Sequence, residues 1–151
     1  MKDIIIDSLE FLVKANRCVV FALIIMPNHI HLIWRITNEH KREHVQRDFL
    51  KFTGRQIRFK LMDRNPSPLS RFEVNLKDRK YQLWQRNSLS VDIYSREVLE
   101  QKLDYIHANP VSGKWNLAPD FIQSPYSYAS FYEDNTSEFK FLSHYMECFG
   151  G

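Results

Sequence analysis

Residues 17–37 contain two runs of apolar and β-branched residues separated by a short polar break, and this feature restricts the fold more than any other. The first run is RCVVFALIIM, the break is PNH, and the second run, HIHLIWRIT, begins with the same histidine. Val and Ile favour strands, and a short break containing Pro and Asn favours a reversal of the chain. The sequence therefore predicts an antiparallel β-hairpin.

Three helices are predicted, one before this hairpin in the sequence and two after it. Residues 3–15 repeat apolar side chains at helical spacing, residues 41–61 form a strongly charged helix, and residues 92–109 form a third helix. Ser95 is the expected N-cap of the third helix, and Pro110 ends it because the residue before proline avoids the α region. The segment MDRNPSPLSR is typical of a loop, and KYQLWQ is predicted as a further strand. The fold class is therefore α+β.

The composition favours one domain. The chain has 151 residues, 44% of them hydrophobic, and a net charge of +3, which is too small to indicate a nucleic-acid partner by itself. We expect a single domain over residues 1–151, with an irregular aromatic tail from about residue 111. Cys18 and Cys148 form no metal or disulfide pattern, so reduced thiols in a cytoplasmic protein are expected. No signal peptide and no membrane span are predicted.

Two histidines occupy alternate positions in the second apolar run. Side chains alternate between the two faces of a strand, so His29 and His31 point the same way. In the third helix Tyr105 and Asn109 are spaced i and i+4, so they lie one above the other beside the apolar face. If this helix packs on the histidine face of the hairpin, the four side chains converge.

Such a group of side chains suits metal-dependent phosphate chemistry. The imidazoles of His29 and His31 and the amide oxygen of Asn109 are mixed ligands that fit Mg²⁺ or Mn²⁺ bridged to a phosphate. The ion acts as a Lewis acid on the phosphoryl oxygen, while Tyr105 attacks phosphorus and forms a covalent phosphotyrosine. Ordinary interpretations stay open: structural histidines, a half-buried packing tyrosine, a helix-capping asparagine, and His107 either lining the site or packing elsewhere.

Several motifs resemble those of a known enzyme family. The segment MPNHIHLIW resembles the His-hydrophobic-His motif of the HUH single-tyrosine transposases. The segments LWQRN, LDYIHANPVSGKW and YSYASFY are similar to those of the subgroup called REP-associated tyrosine transposases. The resemblance spans roughly residues 4–132, and the histidine and tyrosine motifs follow each other in the order that the family has.

The resemblance implies a fold, an activity and partners. The fold is a ferredoxin-like antiparallel sheet flanked by helices, of the HUH endonuclease type, usually in a homodimer. The activity is cleavage and rejoining of single-stranded DNA at hairpin-flanked sites, in which Tyr105 is joined to a 5′ phosphate and a 3′ hydroxyl is released. Two features depart from the family: Asn109 stands where relatives often carry the longer glutamine, and the sequence begins at the first helix, where the family has a preceding strand. Either the sheet lacks that strand or the sequence starts downstream of it.

The second helix carries a row of basic residues at i, i+4, i+8 and i+11, which we call the basic stripe. Its members are Arg47, Lys51, Arg55 and Arg58. The stripe has two interpretations, a contact with a DNA backbone or an ordinary solvated face. The phenylalanines of the same helix are expected on its core side and not in base stacking, namely Phe49, Phe52 and Phe59.

Two functions from different classes follow. The first is a metal-dependent transposase, or a domesticated relative, that cleaves and transfers single-stranded DNA. The second is a nucleic-acid-binding protein that keeps the fold but has lost strand transfer. The intact set of His29, His31 and Tyr105 favours the first, because an inactive copy is expected to lose one of them.

Overall fold

The computed structural model describes residues 2–25, 29–64, 70, 72–84, 90–108 and 140–143. In chain order the helices and strands of this part are α1 (Lys2–Lys14), β1 (Cys18–Ile25), β2 (Ile30–Ile36), α2 (Arg42–Arg64), β3 (Glu73–Leu76), β4 (Arg79–Tyr81) and α3 (Arg96–Ala108). The predicted α+β class is confirmed at this coarse level. No helix in these ranges combines the length and the apolarity that crossing a bilayer requires.

β1 and β2 form the predicted antiparallel hairpin. The register pairs Cys18 with Ile36 at one end and Ile25 with Ile30 at the other, with a shift at Phe21. Almost every residue of β1 is buried, including consecutive ones. Because consecutive side chains point to opposite faces, both faces of β1 must be covered. Residues 26–28, which include Pro27 and Asn28 of the predicted turn, lie outside the described residues.

α1 turns directly into β1 through a left-handed residue. Asn16 has a φ of 56°, and the amide of Arg17 donates to the carbonyl of Leu12 at 2.9 Å. A 6→1 bond next to a left-handed residue is the Schellman ending of a helix, and Asn tolerates that conformation better than most residues. Of the apolar residues at helical spacing, Ile5, Leu9 and Leu12 are buried, and Val13 is half-buried.

α2 extends further than predicted. Met62, Asp63 and Arg64 are helical, so the prediction that they belong to a loop is wrong. These three residue types are compatible with a helix. Pro66 is the first residue downstream without the backbone N–H that a helix interior needs. The helix buries one residue of every four over most of its length, namely Val45, Phe49, Thr53 and Ile57.

Trp84 covers the middle of α2. Its Nε1 donates to Thr53 Oγ1 at 3.0 Å, and that hydroxyl donates to the Phe49 carbonyl at 2.7 Å. A β-carbon at Gly54 would lie 3.3 Å from Cδ1 of Trp84, which explains a glycine in mid-helix. This contact fixes the chain after β4 against the helix.

The strand predicted over KYQLWQ is only partly correct. β4 covers Arg79–Tyr81 and pairs with β3, whereas Gln82 to Trp84 are not in a strand. The β3–β4 pair turns at Lys77 and Asp78 and is separate from the β1–β2 sheet. β3 was not predicted because Val74 is its one half-buried residue and its other side chains are exposed.

α3 begins after its predicted cap. The Oγ of Ser95 accepts a hydrogen bond from the amide of Val98 at 3.3 Å, which satisfies one of the free amides of the first turn. The apolar residues that its spacing predicts are buried, namely Leu99, Leu103 and Ile106.

α2 and α3 lie on opposite faces of the hairpin. Trp34 and His31 are three residues apart in β2, so their side chains point to opposite faces. The Trp34 ring lies 6.0 Å from the Phe49 ring of α2, whereas the His31 ring contacts Tyr105 of α3. The hairpin is therefore the central layer between two helices.

Residues 140–143 lie beside the free edge of β1. Leu142 forms a parallel bridge with Val20, and the amide of Ser143 donates to the Val20 carbonyl at 2.8 Å. Phe141 and Leu142 are buried in the core. This part of the predicted C-terminal tail thus packs against the hairpin, and residues 111–139 and 144–151 lie outside the described residues.

Candidate active site

β2 places His29 and His31 on one side of the hairpin. His31 lies opposite Ile24 of β1, and His29 immediately precedes the strand. The two imidazole centroids are 4.9 Å apart, with the rings nearly perpendicular at 87°. Residues two apart in a strand point to the same face, and the two rings therefore lie side by side.

α3 brings Tyr105 to the histidines. Leu103 and Ile106 are buried and hold the helix on the core, while Tyr105 points from another face of the helix and is 61% exposed. Its ring centroid lies 5.6 Å from that of His31, in an edge-on arrangement at 89°. Within the described part of the chain Tyr105 is thus accessible and is not a half-buried packing residue.

His31 is set up as a neutral imidazole. It is half-buried, and burial lowers its pKa below the ordinary value of 6.5. The neighbouring His29 lowers the pKa of His31 further, because two positive imidazolium rings repel each other. The Nε2 atom of His31 is buried and has no hydrogen-bond partner among the described residues. Neutral imidazole with a free ring nitrogen is the form that binds a metal ion.

The two histidines fit part of a divalent-cation site. The predicted third ligand, Asn109, lies outside the described residues, as does the side chain of His107. Within the described ranges no cluster of three or more His, Cys, Asp or Glu side chains occurs. Two imidazoles fill only part of the coordination of a divalent cation, and Mg²⁺ in particular commonly keeps waters and binds substrate phosphate.

The basic stripe forms one face of α2, turned away from the buried face. Arg47 donates to Asp48 at 3.0 Å, so its charge is balanced by a neighbour. By contrast, Lys51, Arg55 and Arg58 form no ion pair in the part of the chain that the structure describes. Three members of the stripe thus present uncompensated positive charge.

The stripe lies on the other side of the hairpin from the histidines and the tyrosine. α2 packs on the face that carries Trp34, and the stripe points away from that face. His31 and Tyr105 meet on the opposite face. The structure therefore brings three of the predicted site residues together and does not bring the stripe to them.

The core-side prediction for the phenylalanines of α2 is correct only for Phe49, which is 4% exposed. Phe52 and Phe59 are 53% and 43% exposed. Phe59 follows Phe49 by ten residues, which places it about 80° around the helix from Phe49. The prediction grouped the three by residue type, and the packing shows that the core accepts only Phe49.

An apolar groove of about 540 Å³ lies between α1 and α2, away from the histidines. Ile4, Phe11 and Phe52 line it, and Asp48 lies at its rim. Asp48 accepts a hydrogen bond from Arg17 at 3.1 Å, and Arg17, with Arg47, lowers the pKa of that carboxyl. The groove contains none of the predicted site residues.

No protein-family model, curated protein or solved structure matches the chain. The family resemblance thus depends on the sequence motifs alone.

Proposed function

We propose that the chain cleaves and rejoins single-stranded DNA through a covalent bond to Tyr105, as a transposase of the HUH single-tyrosine type or a domesticated relative. The observation that supports this most is the contact between His31 and Tyr105, whose ring centroids are 5.6 Å apart. The two residues come from different motifs, far apart in the sequence, and both belong to the predicted site. A chance histidine pair and a packing tyrosine would have no reason to meet.

The exposure of Tyr105 and the protonation state of His31 support the same chemistry. Tyr105 is 61% exposed, so a DNA strand can reach its phenol. His31 is half-buried and neutral, with a ring nitrogen free to hold a cation, and His29 lies beside it. A divalent cation bound there, Mg²⁺ or Mn²⁺, would supply Lewis-acid polarisation of a phosphoryl oxygen.

The residues of the chain then have distinct tasks. His29, His31 and Asn109 would hold the cation, and Tyr105 supplies the nucleophile. The Tyr105 oxygen forms a bond to phosphorus as the bond from phosphorus to the 3′ oxygen breaks. The phenolic proton is lost, and the departing 3′ oxygen takes up a proton to leave a hydroxyl. Religation is the reverse reaction with a different 3′ hydroxyl.

We also propose the finer features that accompany this activity. They are a ferredoxin-like sheet of HUH endonuclease type and a homodimer. The central hairpin with helices on both faces and the segment 141–143 beside β1 support a larger sheet built around β1.

A labelled-DNA experiment tests the activity. The protein is incubated with Mn²⁺ and a pool of single-stranded oligonucleotides, each with a hairpin flanked by randomised nucleotides, and is then denatured. Because Tyr105 is joined to the 5′ phosphate of the downstream fragment, a 3′-end label should stay on the denatured protein and a 5′-end label should not. Tyr105→Phe should abolish the adduct, since it removes the attacking oxygen and keeps the ring.

Tyr94→Phe is the matched control, because Tyr94 is also exposed, at 82%, and precedes the same helix. This variant should form the adduct at the wild-type level. An adduct that persists in Tyr105→Phe would place the nucleophile elsewhere. A wild-type protein that binds the pool but forms no adduct would favour the alternative, a nucleic-acid-binding protein that has lost strand transfer.

A further inference from the structure

Phe59 on α2 is an exposed aromatic ring accompanied by two guanidinium groups. It is 43% exposed, although it lies on a helix with a well-packed buried face. The guanidinium carbon of Arg55 lies 5.3 Å from the centre of the ring, and that of Arg58 lies 5.4 Å from it. Both distances are within the range of cation–π contacts. The ring and the two cations form one surface, which we call the Phe59 platform.

The charges of this platform are available to a ligand. Arg55 and Arg58 form no ion pair in the described part of the chain, whereas Arg42, Arg47 and Arg96 each pair with a carboxylate. The ordinary role of such arginines is to cover an apolar ring with their stems, and that role does not explain two guanidinium groups without a carboxylate partner.

The chemistry of the platform matches single-stranded nucleic acid. Surfaces that bind single strands combine cations that follow the backbone with aromatic rings on which bases stack. Lys51 adds a third unpaired cation, and the distance along α2 from Lys51 to Phe59 is about 12 Å, enough to follow a short stretch of backbone. An acidic protein segment would use the cations but would gain little from an exposed ring.

We propose that the Phe59 platform binds single-stranded nucleic acid, with a base stacked on Phe59 and phosphates on Lys51, Arg55 and Arg58. The proposal deepens the proposed function by naming a second contact with its DNA, and it rests on that function for the choice of DNA as the strand. The platform lies on the opposite side of the hairpin from His31 and Tyr105, so it holds DNA away from the cleavage site.

Binding can be measured without cleavage. Every protein carries Tyr105→Phe, and fluorescence anisotropy with a labelled thymidine oligonucleotide is recorded in EDTA, so neither the nucleophile nor a metal contributes. Phe59→Ala should weaken binding by about fivefold or more, the effect expected of one stacked base. Phe59→Trp should bind at least as tightly as the parent. Phe11→Ala, which truncates an exposed ring of α1 at 66% exposure, is the matched control and should have no effect.

An abasic oligonucleotide of the same length separates stacking from structural effects. It keeps the phosphates and lacks the bases, so Phe59→Ala should not weaken its binding. Equal weakening for both probes would mean that Phe59 acts only on the shape of the helix and would overturn the platform. Phe59→Leu, which keeps apolar volume and removes the aromatic face, repeats the test if the alanine variant unfolds.

The contribution of the three cations is measured separately, from the salt dependence of binding. Replacing Lys51, Arg55 and Arg58 by Gln should reduce the slope of log affinity against log salt by about 0.7 for each phosphate that the protein no longer neutralises. Competition by polyglutamate as effective as that by the oligonucleotide would indicate a general anion site and overturn the proposal. If the wild-type protein forms the adduct but Phe59→Ala does not weaken binding, only the platform is rejected. If Phe59→Ala weakens binding but the wild-type protein forms no adduct, only the proposed cleavage is rejected.

Discussion

The ring of Tyr105 meets the ring of His31 edge-on, with 5.6 Å between the centroids, although one residue belongs to a helix and the other to the central hairpin. Leu103 and Ile106 anchor α3 in the core, and the buried side chains of β1 anchor the hairpin there. The relationship between Tyr105 and the histidines is therefore fixed by the core and not by loops. The binding of a metal ion, the titration of His31 and the formation of a dimer should all depend on this arrangement and on the core around it.

Removal of both site histidines should weaken metal binding. The double variant His29→Ala, His31→Ala loses the two imidazole ligands, so its affinity for Mn²⁺ should fall at least about tenfold. Isothermal titration calorimetry measures this directly. The variant His40→Ala, His44→Ala changes two histidines near the start of α2 and should retain the wild-type affinity. Equal affinities for all three proteins would show that the histidines are not ligands.

Stability should fall in mild acid because of His31. Burial lowers its pKa below 6.5, so as the pH falls the unfolded chain binds a proton there before the folded chain does. The free energy of unfolding therefore decreases as the pH drops through 6.5 and continues to decrease until folded His31 is protonated. Urea denaturation in EDTA between pH 8 and pH 5 should show a shallower decrease for His31→Asn. Parallel curves for the two proteins would contradict the prediction.

The hydrogen bond from Trp84 to Thr53 should contribute measurably to stability. Thr53→Val keeps the shape of the side chain but removes the acceptor for Trp84 Nε1, and a cost of about 1 kcal/mol is expected. Trp84→Phe in the same background should cost less than Trp84→Phe alone, because the bond is already absent. Chemical denaturation of the four proteins gives the coupling free energy. Strict additivity would mean that the bond contributes nothing.

Cys18 should be unreactive in the folded protein. It is 2% exposed, and burial raises the pKa of its thiol to about 11, so little thiolate is present at pH 8. In a Cys148→Ser background, the remaining thiol should react with an aromatic disulfide reagent only after denaturant is added. Rapid labelling of the native variant would show that β1 opens readily or is not buried.

We expect a symmetric dimer. β2 pairs with β1 along one edge, and within the described residues no strand pairs with its other edge. Exposed edges invite pairing with another strand, and identical chains commonly pair about a two-fold axis. Light scattering at tens of micromolar should give twice the 18.1 kDa mass of the chain. A mass of one chain throughout a dilution series would count against the dimer.

The sequence predicts a helix or strand best where a single spacing of side chains runs through the whole element. Leu99, Leu103 and Ile106 recur at helical spacing, and His29 and His31 alternate in a strand, so both sets are placed by local geometry. The meeting of His31 with Tyr105 depends on which face of the hairpin receives α3, and no local pattern determines that. From the sequence alone this contact is therefore only conditional.

Other features fell outside any local pattern. β3 escaped prediction because Val74 is its one half-buried residue, so its sequence shows little alternation. Phe59 was misplaced because α2 carries apolar residues around much of its circumference, and only the packed structure shows which of them the core accepts. Both features lie at the margin of the core, and the sequence signal is correspondingly weak.

The bridge between Val20 and Leu142 also bears on the order in which the chain folds. β1 meets β2 through residues close in sequence, whereas Leu142 follows Val20 by more than 100 residues, so the hairpin can form long before the bridge does. During synthesis the second edge of β1 therefore stays without this partner until Leu142 has left the ribosome. A chain that stops short of residue 140 would keep that edge available to foreign strands, and aggregation would be its expected fate.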